Sequence, residues 1–262
     1  MYDLDFAYAQ ARIQARFAAL PRETDWQRVA ASRTLAAFLE DARTGYLRDW
    51  VKGFSVQSDV HDLEAGIGSL YRETLKSVTA LAPVPWREAV SWLRWLPLLP
   101  LLAHLQAGGM MPKWANGDPF LRALLDDEGA LSRQRLEGEG AQCLLQPGQD
   151  LPVAWVEEWR RRWPPCSLAA SRALTALRDL LLDHVQGFSK VPAESAWRLR
   201  RELRERLRLR FHQQLLQPTI PFIYLALTAL DLERLRAALV TRILFSLQDD
   251  PMSSETAGRF AA

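Results

Sequence analysis

The sequence predicts an all-α protein of multi-helix bundle lobes, on three observations. Apolar residues recur at steps of three and four along most of the chain. No run alternates apolar and polar residues between turn signals, as a half-buried strand would. Prolines separate the periodic segments at the places where helices must stop. The 262 residues are 48% hydrophobic and 24% charged, which excludes a disordered chain and is enough for one large domain or two smaller ones.

The elements follow in order. Phe6, Ile13, Phe17 and Leu20 stripe a first helix that Pro21 ends. Leu35, Phe38, Leu39, Ala42, Tyr46 and Trp50 stripe a second. Val60, Leu63, Ile67, Leu70, Tyr71, Leu75 and Val78 stripe a third, with Asp59 at its N-cap. Pro83 and Pro85 precede a fourth helix that Pro97 and Pro100 should break near its middle, and Gly108, Gly109 and Pro112 close it. Residues 113–150 read as linker or irregular cover with one short helix, Phe120 to Leu125, because Asn116-Gly117-Asp118-Pro119 and Pro147-Gly148 are turn signals. A helix from Val153 stops at Trp163-Pro164-Pro165, and another runs from Ser167 to Gln186 with Gly187 as its C-cap. An Arg-rich helix from Ala193 to Leu216 carries the i, i+4 row Leu199, Leu203, Leu207, Phe211 and Leu215. Pro218 and Pro221 open the last helix, which should stop near Asp249-Asp250-Pro251 and leave a frayed end. The expected organisation is an N-terminal helical lobe over 1–112, a loop-rich segment over 113–150 and a C-terminal helical lobe over 151–262. The first 150 residues carry 16 basic and 19 acidic groups and the remainder 17 and 12, a mild asymmetry within a net charge of +2.

Several function classes find no footing. Neither charge-free stretch, Trp95 to Pro112 or Phe211 to Leu230, supplies the roughly 20 apolar residues of a spanning helix. The acidic start, MYDLDFAY, lacks the basic and apolar regions of a secretory signal, and two cysteines cannot staple a scaffold, so a reducing cytoplasmic compartment is expected. His61, His104, His184 and His212 stand in no zinc-protease pattern and pair with neither Cys143 nor Cys166 at metal-ligand spacing. Gly66-Ile67-Gly68 lies inside a helical period, where no strand-to-helix turn can aim backbone N–H groups at a phosphate. Those glycines are read as allowing close helix packing. No catalytic, metal or cofactor residue is therefore assigned, and the protein is expected not to be an enzyme.

Arginine and tryptophan carry the remaining signal. Arg160, Arg161 and Arg162 sit between Trp159 and Trp163, and Arg201, Arg204 and Arg208 belong to a helix of seven arginines relieved by Glu202 and Glu205. The pairs Arg198–Glu202, Arg201–Glu205 and Glu202–Arg206 are the plain reading of that helix. Tryptophan and arginine are enriched at interface hot spots, so these six arginines form an alternative surface for an acidic protein partner. Nucleic acid is not expected, because the chain lacks a strong basic excess. The stripe Trp155, Trp159 and Trp163 is read as core, with a docking surface as its alternative.

Four segments, one of them the stretch with Phe38-Leu39, Thr44 and Tyr46, resemble the C subunit of bacterial and archaeal V/A-type rotary ATPases, whose eukaryotic counterpart is the d subunit. The opening DFAYAQARIQARFAAL places Tyr8, Arg12 and Arg16 as the family's first helix does. The stretch SLYRETLKSVTALAPVPWREAVSWLRWLPLLPLLAHLQA stands where the family has a helix hairpin. The segment PTIPFIYLALTALDLERLRAALVTRILF matches at Pro221, Tyr224, Leu225, Glu233, Leu235 and Arg236. Leu96-Pro97-Leu98-Leu99-Pro100 replaces the Asp or Asn motif of the family's hairpin, and the chain is shorter than typical members, so it resembles a divergent, shortened member. The resemblance implies an all-α, non-catalytic coupling subunit, peripheral to the membrane, joining the rotating central stalk to the ion-carrying ring. The alternative is a stand-alone helical adaptor unrelated to an ATPase.

Overall fold

In a computed structural model that describes residues 3–145, 150–188, 191–192 and 195–248, the regular elements are helices. Among the described residues no strand forms, and a single isolated bridge joins Leu125 to Leu131. The fold is all-α, as the periodicity requires.

Helix α1 (Asp3–Ala18) buries Phe6, Ile13 and Phe17 on one side. Helix α2 (Glu23–Ala30) was not foreseen: eight residues bury only Trp26, Val29 and the half-polar position Asp25, too few for a visible apolar period. The Asp25 carboxylate accepts from the Arg22 backbone N–H at 2.9 Å and secures its start. Helix α3 (Leu35–Arg43) begins at Thr34, whose hydroxyl accepts from the Ala37 N–H. The expected stripe to Trp50 is interrupted after Arg43, and a short α4 (Arg48–Val51) follows. Gly45 makes the turn between them tight, since a Cβ there would lie 1.9 Å from the Arg28 guanidinium. Tyr46 is consequently exposed rather than core.

Helix α5 (Val60–Leu81) starts at Asp59, whose carboxylate accepts from the Asp62 N–H at 2.8 Å. The predicted proline break is real. Helix α6 (Arg87–Ser91) passes into a 3-10 helix, Trp92–Leu98, that contains Pro97, and α7 (Leu99–Gln106) carries Pro100 in its first turn, where the missing N–H costs nothing. The segment after Pro112 is better ordered than its turn signals imply. It holds α8 (Pro119–Leu124) and α9 (Arg133–Gly138), and buries Leu121, Leu124, Leu125 and Leu136. Asp118 caps α8 by accepting from the Phe120 and Leu121 N–H groups, and pairs with Arg72 of α5 at 2.5 Å.

Helix α10 (Leu151–Arg161) starts at Asp150, and α11 (Leu168–Phe188) runs through Gly187 instead of stopping before it. Helix α12 (Ala196–Gln213) ends two residues before Leu215, and Leu216 takes a left-handed backbone with φ 58°. The Gln10 side-chain amide oxygen accepts the Leu216 N–H and holds that turn. Helix α13 (Thr219–Gln248) is the longest. The expected stop at Asp249-Asp250-Pro251, the frayed end after it, Pro147-Gly148 and the helix start at Ala193 lie outside the described residues.

The chain packs as two compact units that interleave in sequence, unlike the contiguous boundaries at 112 and 150. The larger comprises residues 1–18 and 71–230, the smaller residues 19–70 and 231–262. In the larger, Phe6 of α1 packs edge-on to Trp86 at 5.7 Å, Trp86 to Phe222 of α13 at 6.3 Å, and Phe222 to Trp159 of α10 at 5.0 Å. Trp155 stacks on Trp159 at 6.0 Å, and the Trp92 indole N–H donates to the Trp155 carbonyl at 3.0 Å. In the smaller, Trp26, Phe38, Leu39, Leu47 and Leu63 are buried, and arginines of α13 stitch the helices. Arg242 donates to the Ser32 and Val29 carbonyls behind α2 and lies over Phe38, and Arg234 binds both oxygens of Glu23 and lies over Trp26. Gly66 of α5 admits Phe54, since a Cβ there would lie 2.4 Å from the ring, so what approaches this glycine closely is a loop side chain and not the second helix the sequence reading expected.

Trp159 is fully buried and touches three aromatic neighbours. Trp159→Ala is expected to destabilise the fold by about 3–5 kcal/mol, read as a lowered urea midpoint, whereas Tyr46→Ala should shift it little.

Candidate functional site

The tryptophan stripe of α10 is core. Trp155 and Trp159 are buried and Trp163 is half-buried against Trp159 at 5.1 Å, so the docking alternative for this stripe fails. A row of rings four residues apart keeps one side of a helix apolar, and here that side meets Trp92 and Phe222.

The three arginines that follow have different fates. Arg160 pairs with Glu157 at 3.0 Å and Arg161 with Glu158 at 3.4 Å, both one turn away and exposed. Arg162 points inward and is only 14% exposed. Its guanidinium lies 4.4 Å over the Trp92 ring, pairs with Glu158 at 2.9 Å and Glu88 at 2.5 Å, and donates to the Gly140 carbonyl at 3.0 Å. Beside it Arg94 pairs with Glu139 at 2.9 Å and lies over Trp95 and Phe120. Burial lowers the Arg94 pKa, Glu139 opposes that fall and Arg162 adds to it. Arg162 is thus a structural clasp, because its two terminal nitrogens already hold α6, α10 and the turn at Gly140.

The second trio is corrected in the same way. Arg201 is exposed, but Arg204 is buried at 7% exposure and Arg208 lies 4.9 Å over the Phe17 ring. The cause is helical drift. Residues four apart advance about 400°, so an i, i+4 row slides about 40° per step. Leu203, Leu207 and Phe211 are buried while Leu199 is only half-buried, and Leu215, 56% exposed, lies beyond the end of α12. Position 204 falls beside Phe211 on that drifting seam. Of the three expected ion pairs along α12, Arg198–Glu202 approaches at 3.9 Å, and the other two do not form among the described residues.

The residues that carry the family resemblance group within each unit. Tyr8 and Arg12 face solvent on α1, and Arg16 donates to the Ser77 hydroxyl at 2.7 Å. Burial raises the Tyr224 phenol pKa, and a hydrogen bond with Thr228 and the nearby Arg16 charge offset part of that rise. Arg236 binds Glu64 and Glu233 at 2.5 and 3.5 Å, and the Glu64 hydrogen bond raises its pKa against the cost of burial.

The remaining reactive groups are quiet. Burial, then the Glu158 charge, raises the Cys143 thiol pKa, and burial raises that of Cys166, which disfavours the nucleophilic thiolate. His104 meets the Met110 carbonyl at 3.2 Å and His212 packs edge-on to Phe17. Among the described residues no group of three His, Cys, Asp or Glu side chains is placed to hold a metal ion, and no helix is long and apolar enough to cross a membrane. A cluster that sequence reasoning missed lies between α11 and α12. Arg200 sits 4.7 Å over Phe188 and 4.8 Å over Trp197, and His184 packs edge-on to Phe188. Only the hairpin of two helices brings those rings to one cation.

No family model, curated protein or solved structure matches the chain.

Arg162→Ala is expected to cost about 3 kcal/mol, because Glu158 then loses its buried partner, whereas Arg160→Ala should cost under about 0.5 kcal/mol; urea midpoints of the two variants check this. Burial first, and Arg200 second, push the His184 pKa down to about 4 from 6.5. The unfolded chain therefore takes a proton at His184 before the folded one does. The stability gained by keeping it neutral is complete above pH 6.5 and is lost as the pH falls toward 4. The urea midpoint should fall more steeply between pH 7 and 4 in the parent protein than in His184→Gln, and equal slopes would refute the assignment.

Proposed function

We propose that this chain is a non-catalytic coupling subunit, a divergent and shortened relative of the V/A-type ATPase C/d subunit, that joins a central stalk to a membrane ring from the cytoplasmic side. One observation carries the reading. Phe6, Trp86 and Phe222, from three of the four segments that resemble the family, meet in a single aromatic row of the larger unit. Residues 80 and 136 positions apart in the sequence thus form one core, which supports treating their resemblance as that of one fold and not of three chance helices. A torque-transmitting part needs stiff bodies and gripping surfaces, and the close-packed rings and arginine clasps suit that task. A stand-alone helical adaptor is the second reading, favoured by Arg206 and Arg210 of α12, whose guanidiniums meet no carboxylate among the described residues.

Affinity purification from the cells that make the protein, with identification of what accompanies it, separates the two. Stalk and ring subunits of a rotary ATPase should be recovered together. Recovery of neither, with a different complex in their place, would favour the stand-alone adaptor.

A further inference from the structure

We propose that the solvent face of α12 docks an acidic, amphipathic protein segment, with Arg206 and Arg210 holding its carboxylates and Leu209 meeting its apolar side. This deepens the reading as a coupling or adaptor protein by naming the surface and the chemistry of what it grips.

Helix α12 carries seven arginines against two glutamates in 18 residues, a local +5 in a chain whose total is +2, so the remainder sums to −3. The fold uses part of that charge. Arg204 is buried, Arg208 covers Phe17, Arg200 is held between Phe188 and Trp197, and Arg198 approaches Glu202. Arg206 and Arg210 are one turn apart, and neither guanidinium has an ion pair or hydrogen bond among the described residues. Leu209, 59% exposed, stands three residues after Arg206 and shares its side of the helix. A cationic pair next to a bare leucine is complementary to a segment that shows carboxylates on one side and apolar groups on the other. A nucleic-acid backbone fits less well. It offers Leu209 no apolar complement.

The probe is a fluorescein-labelled 18-residue helical peptide with glutamate on one face and leucine on the other, titrated with the full chain by fluorescence anisotropy. Saturable binding at about 50 mM salt that weakens severalfold at about 300 mM is expected. Arg206→Glu with Arg210→Glu should weaken it at least about tenfold, and Leu209→Gln should weaken it about fivefold without changing the salt dependence. Arg133→Glu, an exposed arginine of α9, should leave it unchanged. Arg206→Gln with Arg210→Gln repeats the test without placing new carboxylates beside Glu202. Equal affinity of the parent and the glutamine pair would overturn the proposal. So would absence of peptide binding, or an 18-nucleotide single strand that binds as tightly as the peptide. A failure here leaves a stalk-and-ring purification standing, and a failed purification leaves the α12 surface standing.

Discussion

A row of buried rings, Phe6 to Trp86 to Phe222 to Trp159, runs through the larger unit and draws α1, the segment before α6, α10 and α13 to one place. Each such side chain removes roughly 150–250 Å² from water, and each edge-to-face pair adds about 0.5–1.5 kcal/mol beyond that burial. Helix pairing alone would not select this arrangement, since amphipathic helices pack in many ways. Rings that must meet edge to face at 5.0 to 6.3 Å admit few. The proline-broken stretch from Trp92 to Gln106 makes sense in this setting. A straight helix would carry Trp92 and Trp95 away in one direction, whereas the 3-10 turn lets both rings bury while Tyr71 donates its hydroxyl to the Leu93 carbonyl.

Arginine is the second structural material of this protein. Its planar head stacks on a ring with one face while its edge reaches carboxylates and carbonyls, which a lysine cannot do. Arg162 over Trp92, Arg94 beside Trp95, Arg234 over Trp26 and Arg242 over Phe38 repeat that arrangement in both units. Using 29 arginines and four lysines, the chain covers its aromatic cores with cations that also close helix ends. Arg206 and Arg210 of α12, which meet no carboxylate among the described residues, differ from these clasps. A coupling role would place such a surface on a rigid helix, where it keeps its geometry under load.

The segments that carry the resemblance are individually degenerate helices, and in the fold most of their motif residues make structural contacts. Arg16 near Tyr224 and Arg236 on Glu64 and Glu233 give structural employment to four of the six motif positions, leaving Tyr8 and Arg12 facing solvent.

The linear sequence determined the fold class, the stripes of α1, α3, α5 and α12, the Asp59 cap, the proline break after Trp95 and the core role of the α10 tryptophans. These depend on local periodicity and backbone chemistry, which neighbours in the chain decide. It misread α2, the order within 113–150, the run of α11 through Gly187 and the exposure of the arginines. A two-turn helix with two core positions has no period to detect, and turn signals cannot reveal that Leu121 and Leu136 find a distant core. Arg160, Arg161 and Arg162 are equivalent in the sequence and differ in the fold. Successive residues are turned about 100° apart on a helix, so only one of the three meets Trp92, and where Trp92 lies was decided by tertiary packing alone.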